Sequence, residues 1–224
     1  MKLTQATFAN MVESVAINPH DTIREMDQLI EDAKKYKYHI VYVCHAFTDY
    51  MIENLKGSDT LVGGTVGNSS GAGEEDLAVK KFMAEECMEK GVGEVDMFMN
   101  VPLLRSGKYD AIYEEVKAVR DICKDSLLKV IIQTPMLTND EIKTASEIIV
   151  KAGGDFVKTG NGFYGPTTLE AVKIIKDTVG DKARIKAAGG IKGIDMVEEL
   201  IELGVSRIGM SNPKTAKMME ELAK

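Results

Sequence analysis

Two lysines in this 224-residue chain stand where stability alone does not ask for them. Lys158 closes the apolar run Asp155-Phe156-Val157-Lys158-Thr159, just before Gly160-Asn161-Gly162. Lys186 lies in Arg184-Ile185-Lys186-Ala187-Ala188 and is followed at once by Gly189-Gly190. Both runs read as strands ending in glycine-rich turns, so two ammonium groups fall at the same end of neighbouring units. A lysine in water has a pKa near 10.4, and only about one in a few thousand is a free amine at neutral pH. Burial and a cationic neighbour both lower that value, which turns a lysine into a nucleophile toward carbonyl carbon. Asp96, in Glu94-Val95-Asp96-Met97, offers a carboxylate that can balance charge and move protons. Lys129, in Leu128-Lys129-Val130, fits either charge balance or a substrate contact. Either strand lysine alone reads as a side chain reaching solvent or pairing with an acid. The pair with Asp96 points to imine chemistry.

Such side chains need a frame that brings distant segments together. Apolar, β-branched runs predict eight strands: Met11 to Val15, His39 to Cys44, Leu61 to Val66, Val95 to Met99, Leu127 to Ile132, Asp155 to Lys158, Arg184 to Ala187 and Arg207 to Met210. Helical stripes separate them, such as Ile23, Met26, Leu29, Ile30 and Ala33, or Ile142, Ala145, Ile148 and Ile149. Thr138 to Glu141 and Thr167 to Glu170 carry capping-box spacing, Gly153 and Gly204 fall where helices should end, and Pro213 suits the first turn of a last helix. Strict alternation demands parallel pairing, and eight units fit a closed (β/α)8 TIM barrel, with residues 1–224 as one domain. The competing frame is an open doubly wound sheet. Against it, no G-x-G-x-x-G follows the first strand, and the ionisable residues are spread over several strand ends. In a barrel, Asp96, Lys129, Lys158 and Lys186 converge on one mouth. Barrel strands are ordinarily apolar on both faces, so four charges there must partner one another.

Composition narrows the ligands. Apolar residues at 44 % allow a full core, and a formal charge of -7 leaves no electrostatic footprint for nucleic acid or an anionic membrane. An anion must therefore meet local positive charge in a cleft. No run approaches about 18 apolar residues, so no membrane span is expected. Cys44, Cys87 and Cys123 lack C-x-x-C spacing and the N-terminus lacks a signal-peptide pattern, which together predict a cytoplasmic protein. Asn68-Ser69-Ser70 matches a glycosylation sequon and is read as a polar loop.

The turns after strands six to eight supply the other half of a site. Gly160-Asn161-Gly162, Gly189-Gly190 and Gly209-Met210-Ser211-Asn212-Pro213 stand where barrels bind phosphate on backbone N–H groups. Each alone reads as an ordinary βα turn; three together favour a phosphorylated substrate, with Thr159, Asn161, Gly162, Gly189, Gly190, Ser211 and Asn212 as candidate contacts. His45 beside Cys44 lacks a third ligand or an orienting group, so it is read as a loop or mouth-lining residue and no metal site is expected. The 13 methionines are read as gap-filling core.

From about Leu61 to Asn212 the chain resembles the deoxyribose-phosphate aldolases, class I aldolases on a (β/α)8 barrel. The resemblance is carried by Glu94-Val95-Asp96-Met97, Leu128-Lys129-Val130-Ile131-Ile132, the segment from Ala152 to Thr159, and Ile185-Lys186-Ala187-Ala188-Gly189-Gly190-Ile191. It implies that Lys158 forms a Schiff base, that Lys186 lowers its pKa and that Asp96 helps proton transfer. The implied reaction is reversible cleavage of 2-deoxy-D-ribose 5-phosphate to acetaldehyde and glyceraldehyde 3-phosphate, without metal or organic cofactor, by a homodimer. The chain departs from the family pattern at Glu13-Ser14-Val15 (usually Asp-His-Thr), Thr159-Gly160-Asn161-Gly162 (Thr-Ser-Thr-Gly), Gln133 (glutamate), Ser211-Asn212 (two serines) and Tyr42-Val43-Cys44-His45 (Cys-Val-Asn-Pro); it also ends in Glu221-Leu222-Ala223-Lys224 without the tyrosine that some members carry. These changes cluster where an acceptor aldehyde and phosphate would be read. They bear on the substrate and leave the imine chemistry intact, so a relative with another acceptor stays open; a separate reading is a non-covalent phosphosugar isomerase or epimerase using the same barrel and phosphate turns.

Overall fold

Eight parallel strands close into a barrel in the computed structural model, which describes residues 2–68 and 71–224. They are β1 Val12–Ala16, β2 Ile40–Val43, β3 Leu61–Val66, β4 Glu94–Phe98, β5 Leu127–Ile131, β6 Phe156–Lys158, β7 Arg184–Ala188 and β8 Val205–Ser211. Each pairs with its sequence neighbour, and β8 returns to β1. The helix α1 Gln5–Met11 precedes β1. The crossovers are α2 Ile23–Tyr36, α3 Thr48–Leu55, α4 Leu77–Lys90, α5 Val101–Arg105 with α6 Tyr109–Ile122, α7 Asn139–Ala152, α8 Leu169–Val179 and α9 Ile194–Glu202, and α10 Asn212–Leu222 closes the chain. The barrel expected from the strand–helix alternation is the barrel observed, with strand ends moved by one or two residues. Ser69 and Ser70 of the expected polar loop lie outside the described residues.

Local chemistry explains where the crossovers start and stop. Thr138 and Glu141 form the expected capping box at α7, and Gly153 ends that helix with φ +82°. The second expected box is not formed. Thr168 caps α8 by accepting from the Ala171 N–H, while Thr167 is buried and bonded elsewhere. A box that the sequence reading passed over, Thr22 with Glu25, caps α2.

The apolar core is a layer between sheet and helices. Outward-facing strand residues such as Val41, Val95, Val130, Val157 and Ile208 pack there against Met26, Leu29, Val116, Ile149, Val172 and Leu200. Burial at about 25 cal/mol per Å² of apolar surface makes this layer the main source of stability. The buried methionines, Met26, Met51, Met97 and Met219 among them, belong to the same layer. Ile40, Tyr42, Phe98, Ile131 and Phe156 are also buried but lie outside it. They sit on the alternate strand positions, in register with Glu13, Asp96, Lys129, Lys158 and Lys186. The barrel lumen is therefore mixed, with aromatic rings among paired charges.

Candidate active site

Period-two alternation puts Glu13, Glu94, Asp96, Lys129, Lys158, Lys186 and Arg207 on the inward face of β1, β4, β5, β6, β7 and β8. Register then decides who meets whom. Asp96 lies beside Lys129, Lys158 beside Lys186, and Lys186 beside Arg207. The register between β7 and β8 shifts at Ile185/Lys186, a bulge-like irregularity of the kind that re-aims a side chain.

These residues form one ion-paired cluster. Lys158 Nζ and Lys186 Nζ each donate to Asp96 Oδ2 at 2.6 Å. Lys186 also donates to Glu13 Oε2, and Lys129 is paired with Glu94. Lys129 Nζ lies 3.6 Å from Glu13 Oε1 and 3.6 Å from Asp96 Oδ1, and Arg207 lies 3.6 Å from both Glu13 and Glu94. Three carboxylates thus face four cations. One cation is surplus, and in a buried lumen the surplus proton is the easiest to lose.

The lysines respond differently. Burial pushes Lys158 down to about 8, with Lys186 adding to that effect and Asp96 opposing it. Burial also disfavours charge on Lys186, but Asp96 and Glu13 outweigh it and hold Lys186 above the usual lysine value. Burial disfavours charge on Asp96, and Lys158, Lys186 and Lys129 override it, keeping Asp96 well below the carboxylate range. Lys158 is therefore the poised amine, flanked by a fixed cation and a fixed anion.

Tyr42 completes the lumen. Its ring centroid is 4.4 Å from Lys186 Nζ, and its hydroxyl accepts from Lys129 Nζ at 2.8 Å. Burial, together with the Asp96, Glu13 and Glu94 charges, pushes the phenol far up, so it stays protonated. Room for the ring comes from Gly63, its register partner on β3, where a Cβ would stand 2.2 Å from Tyr42 Cε1.

A cavity of about 380 Å³ opens at the C-terminal ends of β6, β7, β8 and β1, the face on which barrels carry their active sites. Lys158 reaches it, and so do the predicted contacts Asn161, Gly162, Gly189, Gly190 and Ser211. Gly189 has φ +96°, and a Cβ there would stand 2.7 Å from the Gly162 nitrogen, so the two turns meet backbone to backbone. Lys186 and Asp96 lie directly beneath, behind Lys158.

Three predicted substrate contacts are not brought to this cavity. Lys129 is fully buried, because Glu94 and the Tyr42 hydroxyl hold its amine inside the lumen. Thr159 is fully buried too, its hydroxyl bonded to Thr167 at 2.6 Å and accepting from the Ala188 N–H at 3.0 Å, which ties β6 to β7. Asn212 faces away, accepting from Ser14 Oγ at 3.0 Å and donating to Asp32 at 2.8 Å. Of the two readings of His45, the loop residue is the one observed: it opens the short turn between β2 and α3 and lines an outer groove with Phe82, Cys87 and Lys90, where burial pushes it below the usual histidine value. Among the described residues, no group of three or more His, Cys, Asp or Glu side chains could hold a metal ion.

The sequence reading missed Tyr42, Glu94, Arg207, Phe163 and Lys214. Glu94 was legible in principle, since two residues before Asp96 on a strand means the same face. Phe163 and Lys214 both line the cavity. Nothing in the sequence spacing links them to Lys158.

Comparison with known proteins identifies the family. The profile of the DeoC/LacD family aldolases matches residues 15–211. The chain is 37 % identical to the deoxyribose-phosphate aldolase of Staphylococcus carnosus (strain TM300) over 205 residues, 91 % of this chain and 92 % of the relative. It is 37 % identical, with the same coverage, to deoxyribose-phosphate aldolase 1 of Staphylococcus aureus (strain MSSA476). Among solved structures, one described as "QR15, an Aldolase" superposes with a TM-score of 0.89 at 29 % identity, covering 96 % of each chain. A tetrameric deoxyribose phosphate aldolase from Aeropyrum pernix shares the fold, with a TM-score of 0.89 at 21 % identity over 100 % of this chain and 94 % of that one. The chain belongs to the DeoC/LacD family of aldolases, carbon–carbon lyases on a (β/α)8 barrel.

Proposed function

We propose that this enzyme is a class I aldolase that reversibly cleaves 2-deoxy-D-ribose 5-phosphate to acetaldehyde and D-glyceraldehyde 3-phosphate, with Lys158 as the Schiff-base nucleophile. The observation that carries the reading is the asymmetry of the lysine pair: both donate to Asp96 Oδ2, but only Lys158 opens into the cavity, and its pKa is lowered to about 8 while that of Lys186 is raised. The names of the 37 % identical relatives support the substrate.

In the cleavage direction the neutral Lys158 amine attacks the sugar's C1 aldehyde carbon, and loss of water from the carbinolamine gives an iminium ion. The bond between C2 and C3 then breaks. Its electron pair flows into the iminium to form an enamine, while the C3 hydroxyl loses its proton and leaves as the aldehyde of glyceraldehyde 3-phosphate. Protonation of the enamine carbon and hydrolysis release acetaldehyde and restore Lys158. Asp96, hydrogen-bonded to both amines, orients Lys158 and relays protons through a water; Lys186 keeps positive charge beside the nucleophile. The iminium on Lys158 serves as the electron sink, so the proposed cycle draws on no metal or organic cofactor. The turns at Gly162, Gly189–Gly190 and Ser211 receive the phosphate.

A non-covalent isomerase or epimerase on the same frame would turn over without a covalent adduct on Lys158, which separates it from the aldolase reading. The same reading takes residues 1–224 as one domain working in the cytoplasm, in carbohydrate catabolism, as a homodimer. No helix among the described residues is long and apolar enough to cross a membrane. Sedimentation decides the assembly, since the Aeropyrum pernix relative is tetrameric. The test of mechanism is borohydride reduction in the presence of acetaldehyde, followed by peptide mass mapping. An N-ethyl adduct on Lys158 is expected; no adduct, or an adduct that persists in Lys158→Ala, overturns the reading.

A further inference from the structure

Asn212 occupies one of the two positions that carry serine in the family pattern, and its side chain is spent on structure. Accepting from Ser14 on β1 and donating to Asp32 on α2, it pins the first turn of α10 from behind. The hydroxyl that a serine would offer at this position is absent. Two residues on, past Pro213 in the same first turn, stands Lys214, which lines the cavity. Lys214 is exposed, and its amine has no hydrogen-bond or ion-pair partner among the described residues.

The charge on this cavity's wall is the reverse of the chain's as a whole. The protein carries a formal charge of -7, yet no carboxylate lines this cavity and its ionisable wall residues are both lysines, Lys158 and Lys214. Lys158 is occupied by Asp96 and by its own chemistry. Lys214 comes from the first turn of α10, after β8, and shares the cavity wall with Ser211 and the Gly189–Gly190 turn. Backbone N–H groups can cradle an anion from any approach, but they do not distinguish a charged ligand from a hydroxyl as sharply as a cation does.

We infer that Lys214 is a specificity-determining residue of this enzyme, the cation that selects phosphate monoesters over the corresponding unphosphorylated sugars and aldehydes. The inference rests on the aldolase reading for the identity of the substrate, but not for the existence of the anion subsite. Asn212 has a positioning part in it, because its two hydrogen bonds fix the helix turn from which Lys214 extends.

The test separates the two readings. Calorimetric titration with glycerol 3-phosphate and with glycerol compares the wild type with Lys214→Met and Lys214→Arg, and KM is compared for phosphorylated and unphosphorylated 2-deoxyribose. A hydrogen bond to a charged group corresponds to about a 10- to 100-fold change in affinity. Lys214→Met should weaken glycerol 3-phosphate by that factor and raise KM for the phosphorylated sugar to match, leaving kcat and the unphosphorylated sugar unchanged. Lys214→Arg should keep most of the affinity. Unchanged glycerol 3-phosphate affinity in Lys214→Met, failure of the wild type to bind it, or an equal loss for both sugars overturns the inference. Acetaldehyde trapping on Lys158 carries no phosphate and is read in parallel. If trapping succeeds and Lys214 proves silent, only this inference fails; if trapping fails, the imine reading falls by itself.

Discussion

Lys158 and Lys186 donate to one and the same oxygen, Asp96 Oδ2, at 2.6 Å each. Two like charges held that close would repel unless one of them gives up its proton. Lys186 keeps its own through a second carboxylate, Glu13, and is fully buried, whereas Lys158 has Asp96 alone and is 8 % exposed at the floor of the cavity. The division of labour proposed for them, nucleophile and tuning cation, rests on which lysine has the extra anion.

That division has a pH signature. In the proposed imine mechanism Lys158 reacts as the neutral amine, which exists above its pKa of about 8, so kcat/KM should rise with pH through about 8 and level off above it. Lys186 lowers that value and Asp96 raises it, so the acid limb should move upward in Lys186→Met and downward in Asp96→Asn. Each unit of upward movement costs about tenfold at neutral pH, from the one-proton titration of the amine. A pH–rate profile of the three proteins checks the signs; limbs moving together would sink the assignment.

Lys129 and Glu94 should act on stability rather than on substrate affinity. Removing one partner of a buried pair leaves an uncompensated charge and costs about 3–5 kcal/mol, so Lys129→Met should lower the urea midpoint markedly while KM moves less than about twofold. Burial works against charge on Glu94, but the hydrogen bond from His39 and the Lys129 charge hold it down at about 2, from 4.5. A carboxylate with a depressed folded pKa stabilises above its unfolded value and loses that contribution as pH falls. The stability difference between wild type and Glu94→Gln should therefore be full above pH 4.5 and shrink toward pH 2, as denaturation across that window would show.

Gly63 should tolerate no side chain while Tyr42 is present. A Cβ 2.2 Å from the Tyr42 ring overpacks the lumen, and Gly63→Ala should cost about 1–3 kcal/mol. Tyr42→Phe keeps the clashing ring and should not relieve it; Tyr42→Leu should. A double-mutant cycle by thermal unfolding measures the coupling, and strict additivity would refute the argument.

Thr159 is expected to matter for the seam between β6 and β7 and not for binding. Thr159→Val removes its bonds to Thr167 and Ala188 and should cost about 1–3 kcal/mol, from buried polar groups left unpaired. KM for the phosphorylated sugar should hold. A large KM effect with unchanged stability would return Thr159 to the list of substrate contacts.

How much of this was legible beforehand varies residue by residue. Lys158, Lys186 and Asp96 could be picked out because charged residues inside apolar strand runs violate the pattern around them, and Gly189–Gly190 because a turn directly follows the strand. Lys129 violates the pattern equally, yet lies one layer deeper. Strand spacing of about 3.3 Å per residue says which face a side chain takes but not how far it stands from the rim, since barrel tilt and stagger set that depth. Thr159 and Asn212 misled for the opposite reason: small polar residues beside a turn serve equally well as ligands or as ties between elements, and only their partners, Thr167 and Ser14 with Asp32, decide.

The sequence by itself determined the eight-unit barrel and picked out Lys158, Lys186 and Asp96 as charges out of place in apolar strands, because period-two and period-3.6 burial and strand-end charges are local patterns that the chain carries in its order. Tertiary structure alone decided the surplus cation among Glu13, Glu94, Asp96, Lys129, Lys158, Lys186 and Arg207, the Tyr42 ring set against Gly63, and the placing of Lys214 on the cavity wall. Those relations join residues as far apart as Glu13 and Lys186, and they depend on closure of β8 onto β1, a geometric event that no window of sequence contains.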